Sequence, residues 1–149
     1  MASFSEASTI QAGVVDRLVQ ADMGWTEVAA DDLERTDSGV LIDSDVREAL
    51  IALNPVMAED PARADLVISR LRAVFLSVSD EGLVPANEKM VEWLRGLESM
   101  DLSGVDDVPP IQLIDFDNPR AYKLVVSREV TYRAASAEGC RFDIVLWVN

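Results

Sequence analysis

The sequence predicts an α+β fold, with N-terminal helices packed on a small mixed β-sheet formed by the end of the chain. Three observations carry this reading. Apolar residues recur at helical spacing in several segments before Asp101. Beyond Asp101 the composition becomes loop-like and then turns to runs rich in Val, Thr and Tyr, residue types that favour strands. Helices first and strands last is the α+β order. With 149 residues, 49% of them apolar, the chain can bury one core and is too short for two ordinary ones. It is therefore read as a single domain, 1–149, with a helical part over 1–101 and a β part over 108–149.

The elements follow in order. From about Ser5 to Met23 the positions Ile10, Val14, Leu18 and Met23 keep near-helical spacing, and Gly24 is placed to stop the helix. Asp43 or Ser44 caps a second helix running to Leu53, with Val46, Leu50 and Leu53 on one face. Asn54-Pro55 ends it, because a residue before proline avoids the helical region. Asp60-Pro61 opens a third helix with Leu66, Ile68, Leu71, Val74 and Phe75 inward. A fourth runs from about Pro85 to Glu98 with Met90, Trp93, Leu94 and Leu97 as its apolar stripe. Leu102 to Pro110 is loop composition. Three strand-like stretches follow, Ile111 to Phe116, Tyr122 to Arg133 and Arg141 to Val148, the last two joined by a hairpin loop over Ala135–Gly139. Trp25, Trp93 and Trp147 read as packing residues.

Composition excludes several chemistries. Lys plus Arg number 13 and Asp plus Glu 27, a net charge of −14, and that argues against a free-standing nucleic-acid binder. There is no histidine, hence no His-based triad, no His general base and no His-containing metal site. The single cysteine, Cys140, excludes an internal disulfide and fits a reducing cytosol. The N-terminus shows neither a basic nor an apolar targeting region, and no apolar run approaches membrane-spanning length. The expected location is cytoplasmic. The charge is uneven. Residues 1–60 hold 13 acidic and 3 basic side chains, a net of −10, whereas residues 120–149 hold 3 acidic and 5 basic ones, a net of +2.

What remains for chemistry is carboxylate, hydroxyl, lysine, arginine and metal. The pairs Asp31-Asp32, Glu59-Asp60, Asp80-Glu81 and Asp106-Asp107 lie at loops and helix starts, where acids are stabilising. Asp115, Asp117 and Asp143 lie within β-rich stretches, and a carboxylate there is expensive to bury unless it is paired, hydrogen-bonded or on a metal. Asp117 precedes Asn118-Pro119, which is turn chemistry, and its side chain is expected to cap its own backbone. For Asp143 two readings stand side by side, an exposed or Arg-paired residue on the polar face of an edge strand, and a ligand.

The string Leu113-Ile114-Asp115-Phe116-Asp117-Asn118-Pro119, followed by Arg141-Phe142-Asp143-Ile144-Val145-Leu146-Trp147-Val148-Asn149, closely resembles the N-terminal region of type I restriction enzyme R subunits. Gly24-Trp25, Leu33-Glu34-Arg35, Leu53-Asn54-Pro55 and Glu92-Trp93-Leu94-Arg95 agree with it, so the similarity runs from about Gln11 to the last residue. The resemblance implies a PD-(D/E)xK restriction-endonuclease-like core, in which a strand aspartate and a Glu-x-Lys pair on the next strand form one site. Carboxylates there hold Mg²⁺, and the lysine positions or activates water. Asp143 matches the first aspartate, the catalytic and metal residue of that motif, with Phe142 standing where the family usually has proline. Hard carboxylate oxygens suit Mg²⁺, and a metal serves phosphodiester hydrolysis without histidine.

Two parts of the family pattern are missing from this sequence. No Glu-x-Lys follows Asp143, and no GxxxxGK[ST] is present for ATP. The expectation is a truncated core, inactive alone, whose parent protein cleaves DNA with Mg²⁺ and translocates with ATP bound elsewhere. DNA and the modification and specificity subunits are the implied partners. Glu6, Asp16 and Gln11 on the first helix are left unassigned. Arg128, Arg133 and Arg141 are candidate phosphate contacts, Arg being suited to phosphate through its planar fork. Their simpler role is pairing with Glu129 or Glu138. An apolar last strand with little beyond it points to self-association through an exposed sheet edge. The alternative from another class is a non-catalytic acidic interaction module or DNA mimic using the −14 charge.

Overall fold

The structure is a computed structural model that describes residues 6–118, 121–133 and 138–148. The elements are α1 (Glu6–Leu18), β1 (Thr26–Glu27), a 3₁₀ turn (Ala30–Asp32), α2 (Asp43–Leu53), α3 (Pro55–Glu59), α4 (Ala62–Leu76), α5 (Val78–Glu81), α6 (Leu83–Leu94), β2 (Leu124–Tyr132) and β3 (Cys140–Val148). This is an α+β architecture, as the sequence predicts. Most of the hairpin loop expected over Ala135–Gly139 lies outside the described residues.

The chain forms two compact units, one of residues 1–42 with 122–148, the other of residues 43–121. The first unit holds a three-stranded mixed sheet in the order β1-β2-β3. β1 runs parallel to β2, with Thr26 beside Val125 and Glu27 beside Val126, and the Val28 N–H continues the pairing onto the Val126 carbonyl at 3.0 Å. β3 runs antiparallel to β2 and, among the described residues, is an edge strand. Central β2 is buried at Val125, Val126, Ser127 and Val130, so both of its faces are covered over that stretch. Edge β3 is not: Phe142, Leu146 and Val148 lie about half-exposed on one face of the strand. β1 is two residues inside the part read from sequence as helical, too short for any alternation to mark it.

α1 ends at Leu18, five residues short of the predicted end at Met23, and a run of turns leads to Gly24, which takes a left-handed φ of 74°. Its buried face differs from the prediction. Ile10, Val14 and Met23 are exposed, whereas Val15 is fully buried and Gln11, Ala12 and Leu18 flank it half-buried. Spacing of three and four fits both stripes, and α1 packs on β2 through the shorter one.

In the second unit α2 spans its predicted range, with Val46 and Leu50 buried. Asn54 leaves the helical region before Pro55, which itself starts the short α3. α4 buries Ala64, Val67, Ile68, Leu71 and Val74; Leu66, expected inward, is exposed because the face is set by Val67. α6 begins two residues before Pro85 and ends at Leu94, not Glu98. Gly96 takes φ 65°, its N–H bonds the Trp93 carbonyl at 3.0 Å and the Leu97 N–H bonds the Glu92 carbonyl at 3.1 Å, a Schellman termination. Leu94 and Leu97 are consequently exposed, while Ala86 and Trp93 are buried. The stretch Ile111 to Phe116 forms no strand. The Ile111 N–H bonds the Glu98 carbonyl at 2.8 Å, and Ile111 and Leu113 are apolar because they fill the core of this unit.

Among the described residues no helix is long and apolar enough to cross a membrane.

Candidate functional site

β3 places Asp143 in the middle of the edge strand, exposed to solvent. Side chains alternate along a strand, so Arg141, Asp143, Val145 and Trp147 share one face, and Phe142, Ile144, Leu146 and Val148 the other. Arg35, from the segment after the 3₁₀ turn, lies over the Trp147 ring at 5.7 Å from its centroid. Its guanidinium also donates to the Thr36 and Thr131 carbonyls. Arg35 therefore ties this segment to β2 through the Thr131 carbonyl and to β3 through a cation–π contact. No sequence signal marks that role, because Thr131 is 96 residues away.

The β2–β3 ladder has a local break at this point. Pairing runs from Leu124↔Val148 to Arg128↔Ile144 and resumes from Val130↔Phe142 to Tyr132↔Cys140, so the omitted rung is that of Glu129 and Asp143. Glu129 has φ 57°, a left-handed conformation uncommon for a residue with a Cβ and out of place inside a strand. Its side chain bonds Arg141, Oε2 to Nε 2.8 Å. Asp143 makes no ion pair or hydrogen bond from its side chain among the described residues.

The three arginine candidates are dispersed. Arg141 is beside Asp143 and bound to Glu129. Arg128 stands opposite Ile144 in the ladder, hence on the other face of the sheet, and its guanidinium contacts Glu27 at 2.6 Å. Arg133 lies past the end of β2, 3.9 Å from Asp37, and its backbone N–H donates to the Asp37 carbonyl. Each arginine thus faces an acid. All three pairs are substantially exposed, and such pairs contribute only about 0–1 kcal/mol, so each yields readily to a competing anion. Arg35, Arg133, Asp31, Asp37 and Glu129 line a cleft of about 340 Å³ in this unit, with three carboxylates against two guanidiniums.

Asp115 and Asp117 belong to the other unit. The Asp115 Oδ1 accepts the N–H of Asp117 at 3.1 Å and of Asn118 at 3.2 Å. The turn before Pro119 is capped by Asp115 with Asx-turn geometry, and the backbone that Asp117 is expected to cap, at 119–120, lies outside the described residues.

A single carboxylate is a suitable hard donor for Mg²⁺, but a cation site needs several. Among the described residues no group of three or more acidic or thiol side chains converges. The residues present supply one donor and do not by themselves fit a resident Mg²⁺.

The unit that carries Asp143 is α+β, with this exposed aspartate on a strand beside a covered central one. The chain belongs to the family described as type I restriction enzyme R protein N terminus, which matches residues 3–149. No curated protein and no solved structure gives a match to the chain.

Proposed function

We propose that this chain serves Mg²⁺-dependent DNA cleavage by a type I restriction enzyme R subunit, with Asp143 as the strand aspartate of a PD-(D/E)xK site. The observation that carries this reading is Asp143 itself, which stands mid-strand on β3, solvent-exposed and unpaired among the described residues, within the family-matched span. The remaining donors of such a site are a Glu-x-Lys pair that this sequence does not contain, and neither does it contain a Walker-type phosphate loop. Cleavage and ATP-driven translocation are therefore assigned to the parent protein, and the 149-residue chain alone is inactive. Among this chain's own residues, Asp143 contributes one oxygen donor, while Arg141 beside it is the arginine best placed to meet a DNA phosphate. DNA and the modification and specificity subunits are the proposed partners.

The test is Asp143→Ala in the R subunit of an assembled type I enzyme. DNA cleavage should be abolished and DNA-dependent ATP hydrolysis retained. Cleavage that persists would remove Asp143 from the site.

A further inference from the structure

We propose that Glu129 is a positioning residue that draws the Arg141 guanidinium off Asp143 and leaves the Asp143 carboxylate unpaired. The importance of that availability rests on the reading of Asp143 as the site carboxylate. The contact pattern itself does not.

Arg141 and Asp143 are two residues apart on one face of β3, about 7 Å along the strand, well within the reach of an arginine side chain. Left to themselves the two would pair and neutralise each other. A third charge decides the matter. By register Glu129 and Asp143 fall at the omitted rung between Arg128↔Ile144 and Val130↔Phe142, and like charges at such neighbouring positions repel. Arg141 lies beside both acids, and the bond it makes is to Glu129, at 2.8 Å. The left-handed backbone of Glu129 breaks the ladder at this rung alone, where the neighbouring rungs on either side are kept. A residue with a Cβ adopts that conformation at a cost, and such outliers gather where a side chain has a task. Here the task is to occupy Arg141. Asp143 is left exposed and without an ion partner among the described residues.

The experiment follows the Arg141 Nε–Hε resonance of the isotope-labelled 149-residue chain by NMR, without metal. Glu129→Gly removes the carboxylate and keeps the left-handed conformation accessible, since glycine adopts it freely. In the unaltered background Asp143→Asn should leave solvent exchange of the Arg141 Hε unchanged. In the Glu129→Gly background Asp143 should take over as partner, and adding Asp143→Asn should speed Hε exchange by about two- to fivefold, the range an exposed ion pair supports. Glu129→Gln, which keeps a side chain on the strand, should give the same pattern and separates charge from backbone effects. The proposal is overturned if Asp143→Asn has equal effects in both backgrounds. It is likewise overturned if the Arg141 Hε in Glu129→Gly is as unprotected as in the Glu129→Gly/Asp143→Asn pair. The cleavage assay on Asp143→Ala is independent of this result, so the two readings fail separately.

Discussion

Replacing Asn54 by alanine should destabilise the chain by about 2–3 kcal/mol, more than any surface change would. Asn54 is only 5% exposed, and its side chain joins the end of α2 to the extended segment beyond Pro110. Its Nδ2 donates to the Leu50 carbonyl at 2.9 Å and to the Gln112 carbonyl at 2.8 Å, and its Oδ1 accepts the Gln112 N–H at 2.8 Å. A net hydrogen bond is worth about 1 kcal/mol, and orphaning a buried partner costs more than that. The Leu50 carbonyl retains the Asn54 backbone N–H at 3.1 Å, so its share of the loss is small. The two bonds to Gln112 and the void left by the amide make up the remainder. Asn54→Asp keeps the acceptor, loses both donors and buries a charge, and should cost at least as much. Urea unfolding followed by tryptophan fluorescence, to which the buried Trp93 contributes, measures both variants. A loss below about 1 kcal/mol for Asn54→Ala would show that water replaces the bridge to Gln112, and the hydrogen-bond reasoning would fail.

Two further outcomes are expected besides those already attached to Asp143 and Glu129. Asp22 is bound by Arg17 at 2.7 and 2.8 Å, and this side-chain hydrogen bond, aided by charge attraction, holds its carboxyl below the usual carboxylate range. A depressed folded value gives stability that is present above the unfolded value and lost as pH falls through the folded one. The melting-temperature gap between the unaltered chain and Asp22→Asn should therefore shrink from pH 7 towards strongly acid conditions, and a gap that stays constant would contradict the linkage. The open edge of β3, with Phe142, Leu146 and Val148 on one face, should make the chain self-associate. Sedimentation should show concentration-dependent oligomers that Leu146→Lys removes, and a strictly monomeric chain at high concentration would refute the edge argument.

What was legible in the sequence divides along physical lines. Backbone punctuation was legible in part: Asn54-Pro55 acts within a turn of its own position and stops α2 where predicted, whereas α1 already ends at Leu18, before Gly24. Gly96 carries the same kind of signal, and reading it would have ended α6 at Leu94 and kept Leu97 out of the helical stripe. Helix rotation was less legible. In α1 the stripe through Ile10 and Val14 and the one through Val15 have equal spacing, and only packing against β2 selects between them. Ile111 and Leu113 look like a strand because burial alone makes a short run apolar, whether or not a ladder forms. β1 depends on Val125 and Val126, almost a hundred residues away, and its own two residues hold no pattern.

The site divides in the same way. The place of Asp143 on a strand was legible from composition, and its neighbours in sequence carry the string that made it a candidate. The relation of Asp143 to Arg141 was not, because it depends on Glu129 across the sheet and on a φ of 57° that no residue type announces. Period two separates the arginines that charge counting had grouped: Arg141 shares the face of Asp143, and Arg128 takes the other with Glu27 as its partner. A net of +2 over residues 120–149 therefore does not describe a cationic surface around Asp143. Among the described residues it includes exposed pairs on two faces of a sheet, and the one that adjoins the aspartate there is Arg141–Glu129, so an anion brought to Asp143 would have to compete with Glu129 for that guanidinium.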